Sequence, residues 1–312
     1  MLIYTVKRLL LIIPTLIAVL LLLFSLSYLL PGEPAEIILG PRASEKMISD
    51  INEELGLDKP WYISFYLYLK QIMSGDFGTS IFRDVSVLNA VMSVLPYTLV
   101  LTLTGMGFAV IIGIIIGLLA ANYEGTVWDG LLGVFSFVFA STPTYVAAVL
   151  ILLFFSIRLN LLPVMGAGEG GIIDSIHHLI GPALALSIGW TGYIARLTRS
   201  SMLETVNEDY IITARSFGLP KSYIYYRYAL KKAVKPIVAV IGLGIGRLLG
   251  GALFVEVIFN RPGLGRLTVD AIFERDLPMV RGGVLIAAFL FIVANLLADL
   301  SYAYLDPRIR NK

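Results

Sequence analysis

Hydrophobic side chains gather into long runs along this chain, and polar positions are largely confined to the stretches between them. Apolar runs at about 9–30, 98–121, 129–157 and 179–193, a fifth that begins after Pro236, and a last at about 283–304 predict six helices. Most are long enough to cross a hydrocarbon core, which needs about 20 residues. Lys7 and Arg8 stand before the first run. That run is longer than the apolar core of a cleaved leader, and Pro31, Gly32 and Pro34 follow it in place of a small-residue cleavage site, so it reads as a retained helix. From 31 to 95 the pattern is mixed. Met47, Ile48, Ile51 and Leu55 recur at helical spacing, and aromatics crowd 61–68, which predicts an external subdomain resting on the membrane surface. The expected organisation is a first membrane helix over 1–30, an extracytoplasmic subdomain over 31–95, a membrane domain over 96–306 and a short tail over 307–312.

Within the spans, Gly105, Ala109, Gly113, Gly117 and Ala121 recur every fourth residue, a strip of small side chains that lets another helix approach closely. Gly242, Gly246 and Gly250 repeat the device in the fifth span. Pro143 interrupts the third span and predicts a kink, because proline removes a helix hydrogen bond; either a pathway or simple packing could use it. Four ionisable or amide side chains fall at membrane depth. Arg247 reads as buried and as the strongest intramembrane functional candidate, since a charge there needs a partner or a wet cavity. Glu256, nine residues on, lies half a turn away, so the two should not pair along one face. Asn295 and Asp299 share a face of the sixth span, suited to interhelical hydrogen bonds or to transport chemistry.

The stretch 207–236 stands apart, because it carries Arg215, Lys221, Arg227, Lys231, Lys232 and Lys235 between two very apolar segments and so belongs in water. Asn207 is a suitable N-cap, with Glu208 and Asp209 placed to favour a helix dipole. Gly218 supplies the permissive position that ends this helix, and Pro220 opens a second one. Tyr210, Ile211, Ala214 and Phe217 predict an apolar face on the first helix, and Ile224, Tyr225 and Tyr228 one on the second. Such an elbow either docks on a partner or packs on its own membrane domain.

Composition narrows the choice of chemistry. Of 312 residues, 57% are hydrophobic and 15% charged, the balance of an all-α polytopic membrane protein whose main solvent is the lipid bilayer. A net charge of +2, with no basic run interleaved by aromatics, gives no footing for nucleic acid. The absence of cysteine excludes disulfides and thiolate chemistry. Gly166, Gly168 and Gly171 match G-x-G-x-x-G, but no strand precedes them as a nucleotide-binding turn requires. His177 and His178 are adjacent and diverge on a helix, a poor arrangement for a metal. Neither a nucleophile motif, a zinc motif nor a G-x-x-x-x-G-K-[ST] phosphate loop occurs, so no enzyme activity is expected in this chain.

Six spans put both termini on one side. Lys7, Arg8, Arg196, Arg199, the elbow, Arg308, Arg310 and Lys312 make that side cytoplasmic by the positive-inside rule, with Arg261, Arg266, Arg275 and Arg281 as a counter-signal.

Several short patterns together carry a resemblance: LLPGEPA at 29–35, LGLDKPW at 55–61, GDFGTS at 75–80, YIITARSFGL at 210–219, NRPGLG at 260–265 and YAYLDPRIR at 302–310. They resemble the permease subunits of binding-protein-dependent ABC importers, within them the dipeptide/oligopeptide/nickel family, along nearly the whole chain. The elbow is similar to the family's coupling loop, with the loop glycine at Gly218 and its paired alanines at Thr213 and Ala214. It departs from the general motif at Ile212, Leu230 and Lys231 and follows the peptide-type variant instead. The resemblance implies the type I importer permease fold. It implies as partners a second homologous permease, two ABC ATPase subunits and an extracytoplasmic substrate-binding protein. No cofactor is expected in this chain, ATP and Mg belonging to the ATPases. Tyr210, Thr213, Ala214, Arg215, Phe217, Gly218 and Leu219 become the implied ATPase-coupling residues. The implied cargo is a di- or oligopeptide, with oligosaccharide or nickel as alternatives. An ion-driven secondary transporter is the competing class and would need midplane carboxylates and inverted repeats. An integral membrane enzyme is a third.

Overall fold

The computed structural model describes residues 2–29, 46 and 59–305. Over these the chain is helical: α1 is Leu2–Leu29, α2 Trp61–Met73, α3 Val87–Asn122, α4 Val127–Ser141, α5 Thr144–Ile151, α6 Ile172–Val206 and α7 Asp209–Ser216. A composite helix, α8, spans 221–233; then come α9 Lys235–Ile258, α10 Leu264–Glu274 and α11 Leu277–Leu305. Among the described residues, α3, α6, α9 and the Leu277–Ser301 part of α11 are long and apolar enough to cross a membrane. The pair Val127–Ser141 and Thr144–Arg158, bent by 105°, makes a fifth if counted as one broken span. Leu10–Ser25 of α1 is a shorter apolar helix. Residues 30–45 and 47–58, which include much of the N-terminal half of the expected external subdomain, lie outside the described residues, as do the patterns at 30–35 and 306–310.

Two boundaries differ from the sequence reading. The third span is no kinked helix: Thr142 and Pro143 take extended ψ values of 120° and 141° and the chain turns there. Proline's ring clashes with helical geometry at the residue before it, and its own missing N–H leaves no bond to hold the turn. The fourth span, expected over 179–193, is part of a 35-residue helix that runs on through Arg196 and Arg199. Charge ends an apolar pattern but not a helical backbone, for which arginine is a good former.

The chain forms two compact units. One comprises Thr98–Pro262 and the stretch from Phe291 onward. Its core joins Leu101, Met106, Leu186, Ile194, Leu248 and Val255 of α3, α6 and α9 with Phe259 just past the end of α9. The small-residue strip of α3 takes a second helix, as the spacing predicted, and that helix is α6. A Cβ at Gly105 would come within 3.2 Å of Leu186, and one at Gly113 within 2.9 Å of Ile194. Two members of the α9 strip face α11: a Cβ at Gly242 would lie 2.6 Å from the Ala298 Cα and one at Gly246 3.4 Å from Asn295 Oδ1, whereas nothing lies within 4 Å of one at Gly250.

The other unit comprises Leu2–Tyr97 and Gly263–Leu290. Val87, Val91, Leu264, Leu267, Ala271 and Met279 form its main core. Its loop over 74–86 is pinned by polar contacts. The Ser80 hydroxyl donates to the fully buried Asp276, whose other carboxylate oxygen accepts from the Met279 N–H at 3.2 Å and caps α11. Arg83 pairs with Glu274 at 2.9 Å. A cavity of about 350 Å³ lies in this unit, with Tyr68 and Arg281 in its wall; the Arg281 guanidinium stands 5.3 Å from the centre of the Tyr68 ring.

Candidate functional site

The elbow is built from a short helix, a tight reversal and a widened second helix. Its first helix starts one residue later than the sequence suggests. Asn207 ends α6 and donates its side-chain amide back to Leu203 O at 2.9 Å, while Glu208, in extended conformation, occupies the N-cap position. Asparagine's short amide reaches a carbonyl one turn back as readily as an amide one turn ahead, and here α6 claims it. Asp209 sits in the first turn of α7, where the dipole favours a negative charge.

The reversal is closed by two backbone bonds: Gly218 N–H donates to Arg215 O at 3.0 Å and Leu219 N–H to Ala214 O at 3.4 Å. This pairing satisfies the last carbonyls of the helix and requires a left-handed residue, which Gly218 provides at φ +76°. Pro220 then opens α8 with φ −66°. Residues Ile224–Ala229 form a π turn, which rotates Ile224, Tyr225 and Ala229 inward together. Such widened turns are rare and cluster at functional sites.

Beneath the elbow, Ile211, Ala214, Ile224, Tyr225, Ala229 and Ala233 bury against Met202 of α6 and Ala121 of α3. The apolar face expected on α7 is therefore divided. Ile211 is fully buried and Ala214 nearly so, whereas Tyr210 is 39% and Phe217 81% exposed. With 100° between successive residues, the buried direction runs between Ile211 and Ala214, leaving Tyr210 at its margin and Phe217 beyond the helix end. Thr213, Arg215 and Gly218 are exposed, and Leu219 packs partly into the cluster. Ala214 thus supports the elbow from within and presents no outer surface. Tyr228 likewise faces outward with Tyr223 and Tyr226, contrary to the expected inward face.

Charges trim the exposed side. Lys232 pairs with Glu208 and lies 5.6 Å from the Tyr210 ring centre, tying the second helix to the start of the first. Burial pushes the Tyr210 hydroxyl above the ordinary tyrosine range, Glu208 adds to this, and Lys232 opposes it. Tyr225 is pushed up in the same way by burial and by Glu124, against Arg215.

The intramembrane candidates are placed differently from one another. Arg247 is exposed on α9, a correction to its buried reading. Its neighbours Gly246 and Leu248 take the inward positions, and one turn of helix cannot bury all three. Glu256 is fully buried and accepts a hydrogen bond from Thr98 Oγ1 at 2.6 Å. Thr98 was invisible as a site residue, since a threonine at the edge of an apolar run carries no signal. Asn295 faces Gly246, where a Cβ would stand 3.4 Å from its Oδ1, and Asp299 is half-buried on the same helix. Pro143 stands at the break, and the following Thr144 lies beside Gly251 of α9.

Of the residues set aside, Gly166, Gly168 and Gly171 all have positive φ and serve a turn. His177 and His178 hydrogen-bond to Leu161 O and Asp174 O at 3.0 and 2.9 Å. Among the described residues no group of three His, Cys, Asp or Glu side chains is placed to hold a metal ion.

Long apolar helices, a helix pair broken at a proline, and a charged elbow between two of the apolar helices are the architecture of a multi-pass membrane protein. The chain belongs to the family of binding-protein-dependent transport system inner membrane components, whose model matches residues 113–311, with the family's N-terminal component matching 1–102. It is 38% identical to the dipeptide transport system permease protein DppB of Alkalihalophilus pseudofirmus, over 99% of this chain and all of that one. It is 40% identical to the glutathione transport system permease protein GsiC of Salmonella typhimurium, over the full length of both. Among solved structures, an inward-facing form of the MetNI methionine ABC transporter matches with a TM-score of 0.56 at 16% identity, over 69% of this chain and 96% of that one. An amino acid ABC transporter crystallised with histidines matches with a TM-score of 0.54 at 20% identity, over 69% and 94% of the two chains. These neighbours share the fold. Family membership makes the chain a permease subunit of the inner membrane that works with a binding protein and an ATPase.

Proposed function

We propose that this chain is one of two homologous permease subunits that together line the pathway of an ATP-driven peptide importer. Two ATPase subunits hold ATP and Mg and grip the elbow, and a binding protein delivers cargo to the opposite face. With α1 and the broken pair each counted as a span, the elbow and both termini share one side, which their Lys and Arg residues make cytoplasmic by the positive-inside rule. The observation that carries the reading is the elbow's outer surface. Phe217 at 81% and Tyr226 at 66% exposure stand on a scaffold that is closed by hydrogen bonds and buried beneath. Exposed aromatics on a rigid support are the composition of an interface anchor. Tyr210, Thr213, Arg215 and Phe217 form the contact; Ala214, Gly218 and Leu219 shape it. ATP-driven closure of the ATPases moves the elbow, and the spans alternate between outward and inward access. By linkage, loaded binding protein favours the ATPase-active state. The dipeptide and glutathione permeases to which the chain is similar over its full length support a peptide cargo.

The test is reconstitution. The chain, its partner permease, the ATPases and the binding protein are placed in proteoliposomes, and uptake of a labelled dipeptide is followed with and without ATP. ATP-dependent uptake that needs the binding protein supports the assignment. Uptake driven by an ion gradient without ATP overturns it.

A further inference from the structure

One helix, α6, touches both the elbow and the broken span. At its C-terminal end, Met202 is fully buried among Ile211, Ala214, Ile224 and Tyr225. Higher on the same helix, Gly192 meets α4 at backbone distance, where a Cβ would lie 2.5 Å from the Ala140 N and 3.0 Å from the Phe139 Cβ. Between these two contacts stands Arg199, seven residues from Gly192 and thus on the same face. Its guanidinium makes a two-pronged contact with Asp129 in the first turn of α4: Nε to Oδ1 and a terminal nitrogen to Oδ2, each at 2.7 Å. Asp129 Oδ2 also accepts from the Gly125 N–H at 3.2 Å, which ties the pair to the loop that joins α3 to α4. Asp129 is 13% exposed and Arg199 34%.

We propose that α4 and α6 move as one body, that this body carries displacement of the elbow to the break at Pro143, and that the Arg199–Asp129 pair is the positioning contact that prevents slip between them. The inference rests on the elbow being the ATPase contact. A planar fork on a carboxylate fixes orientation as well as distance, which a single ammonium would not. α4 is a lever of about 22 Å, from 15 residues at 1.5 Å each, so a small rotation at Asp129 is enlarged at the Pro143 end. With its guanidinium about one-third exposed, the pair still reaches water and contributes modestly to folding stability. Its loss should therefore leave assembly intact while elbow motion is no longer delivered.

The experiment uses the reconstituted complex and reads dipeptide imported per ATP hydrolysed, a ratio that simple loss of folded protein does not change. Asp129→Asn and Arg199→Lys are each expected to lower the ratio by about tenfold, within the range of single coupling residues. ATPase subunits should still co-purify. Asp129→Glu, which keeps the charge, should retain most of the ratio, and the reversal Asp129→Arg with Arg199→Asp should exceed either reversed single change. Wild-type ratios in Asp129→Asn and Arg199→Lys overturn the proposal. So does a proportional loss of uptake and hydrolysis, which would mark a merely structural pair. Gly218→Val serves as the separate arm. If it leaves ATPase recruitment and uptake unchanged, the elbow assignment itself fails; if it abolishes them while the Asp129 and Arg199 variants stay coupled, only the present inference does.

Discussion

Gly117 on α3 faces Thr198 on α6 so closely that a Cβ at position 117 would stand 2.5 Å from that of Thr198. Gly117→Val should destabilise the protein by about 1–3 kcal/mol through overpacking. Gly107, on the same helix with open space beside it, is the control. Its change to Ala should leave the melting temperature in detergent at or above the wild-type value, since alanine is the better helix former.

Gly218 should tolerate asparagine better than valine. Its φ of +76° costs an ordinary side chain about 1–2 kcal/mol, and a β-branched residue fits there worst. Gly218→Val should open the reversal, lower co-purification of the ATPase subunits and reduce uptake, with Gly218→Asn intermediate.

Phe217 and Ile211 should separate docking from folding. Phe217→Ala removes an 81% exposed ring, so the melting temperature should hold while ATPase affinity falls about 5–30-fold, the loss of an interface anchor. Ile211→Ala hollows the fully buried cluster and should cost about 2–5 kcal/mol of stability. Thermal melts and pull-down titrations on both variants check the pair of outcomes.

Thr98→Val keeps the shape and removes the hydroxyl that donates to the buried Glu256 side chain at 2.6 Å. Leaving a buried acceptor short of a hydrogen bond costs about 1–3 kcal/mol. Thr98→Ser should recover most of the difference in a thermal melt.

The long runs, the small-residue strips and the elbow with its glycine hinge were legible from residue order alone. Each depends on local rules: the length needed to span lipid, the fourfold spacing of a helix face, and the φ that only glycine adopts freely. The strip of α3 shows this well, since a period of four states that a second helix will approach without naming it. That the partner is α6, through Leu186, Ile194, Ala195 and Thr198, is a property of the packed unit.

Other features exist only because distant parts of the chain meet. Thr98 and Glu256 are 158 positions apart and Asp129 and Arg199 are 70 apart, and neither pairing leaves a mark on the intervening residues. Arg247 went the other way. Its position in an apolar run implied burial, but which face of a helix is covered depends on its neighbours, and α9 turns Gly246 and Leu248 inward. The same holds for Tyr210 and Ala214. One period places them together, and the cluster around Met202 takes only the second. Local geometry is written in each residue and its near neighbours; the choice of inside and outside is made by the competition of all faces for one core.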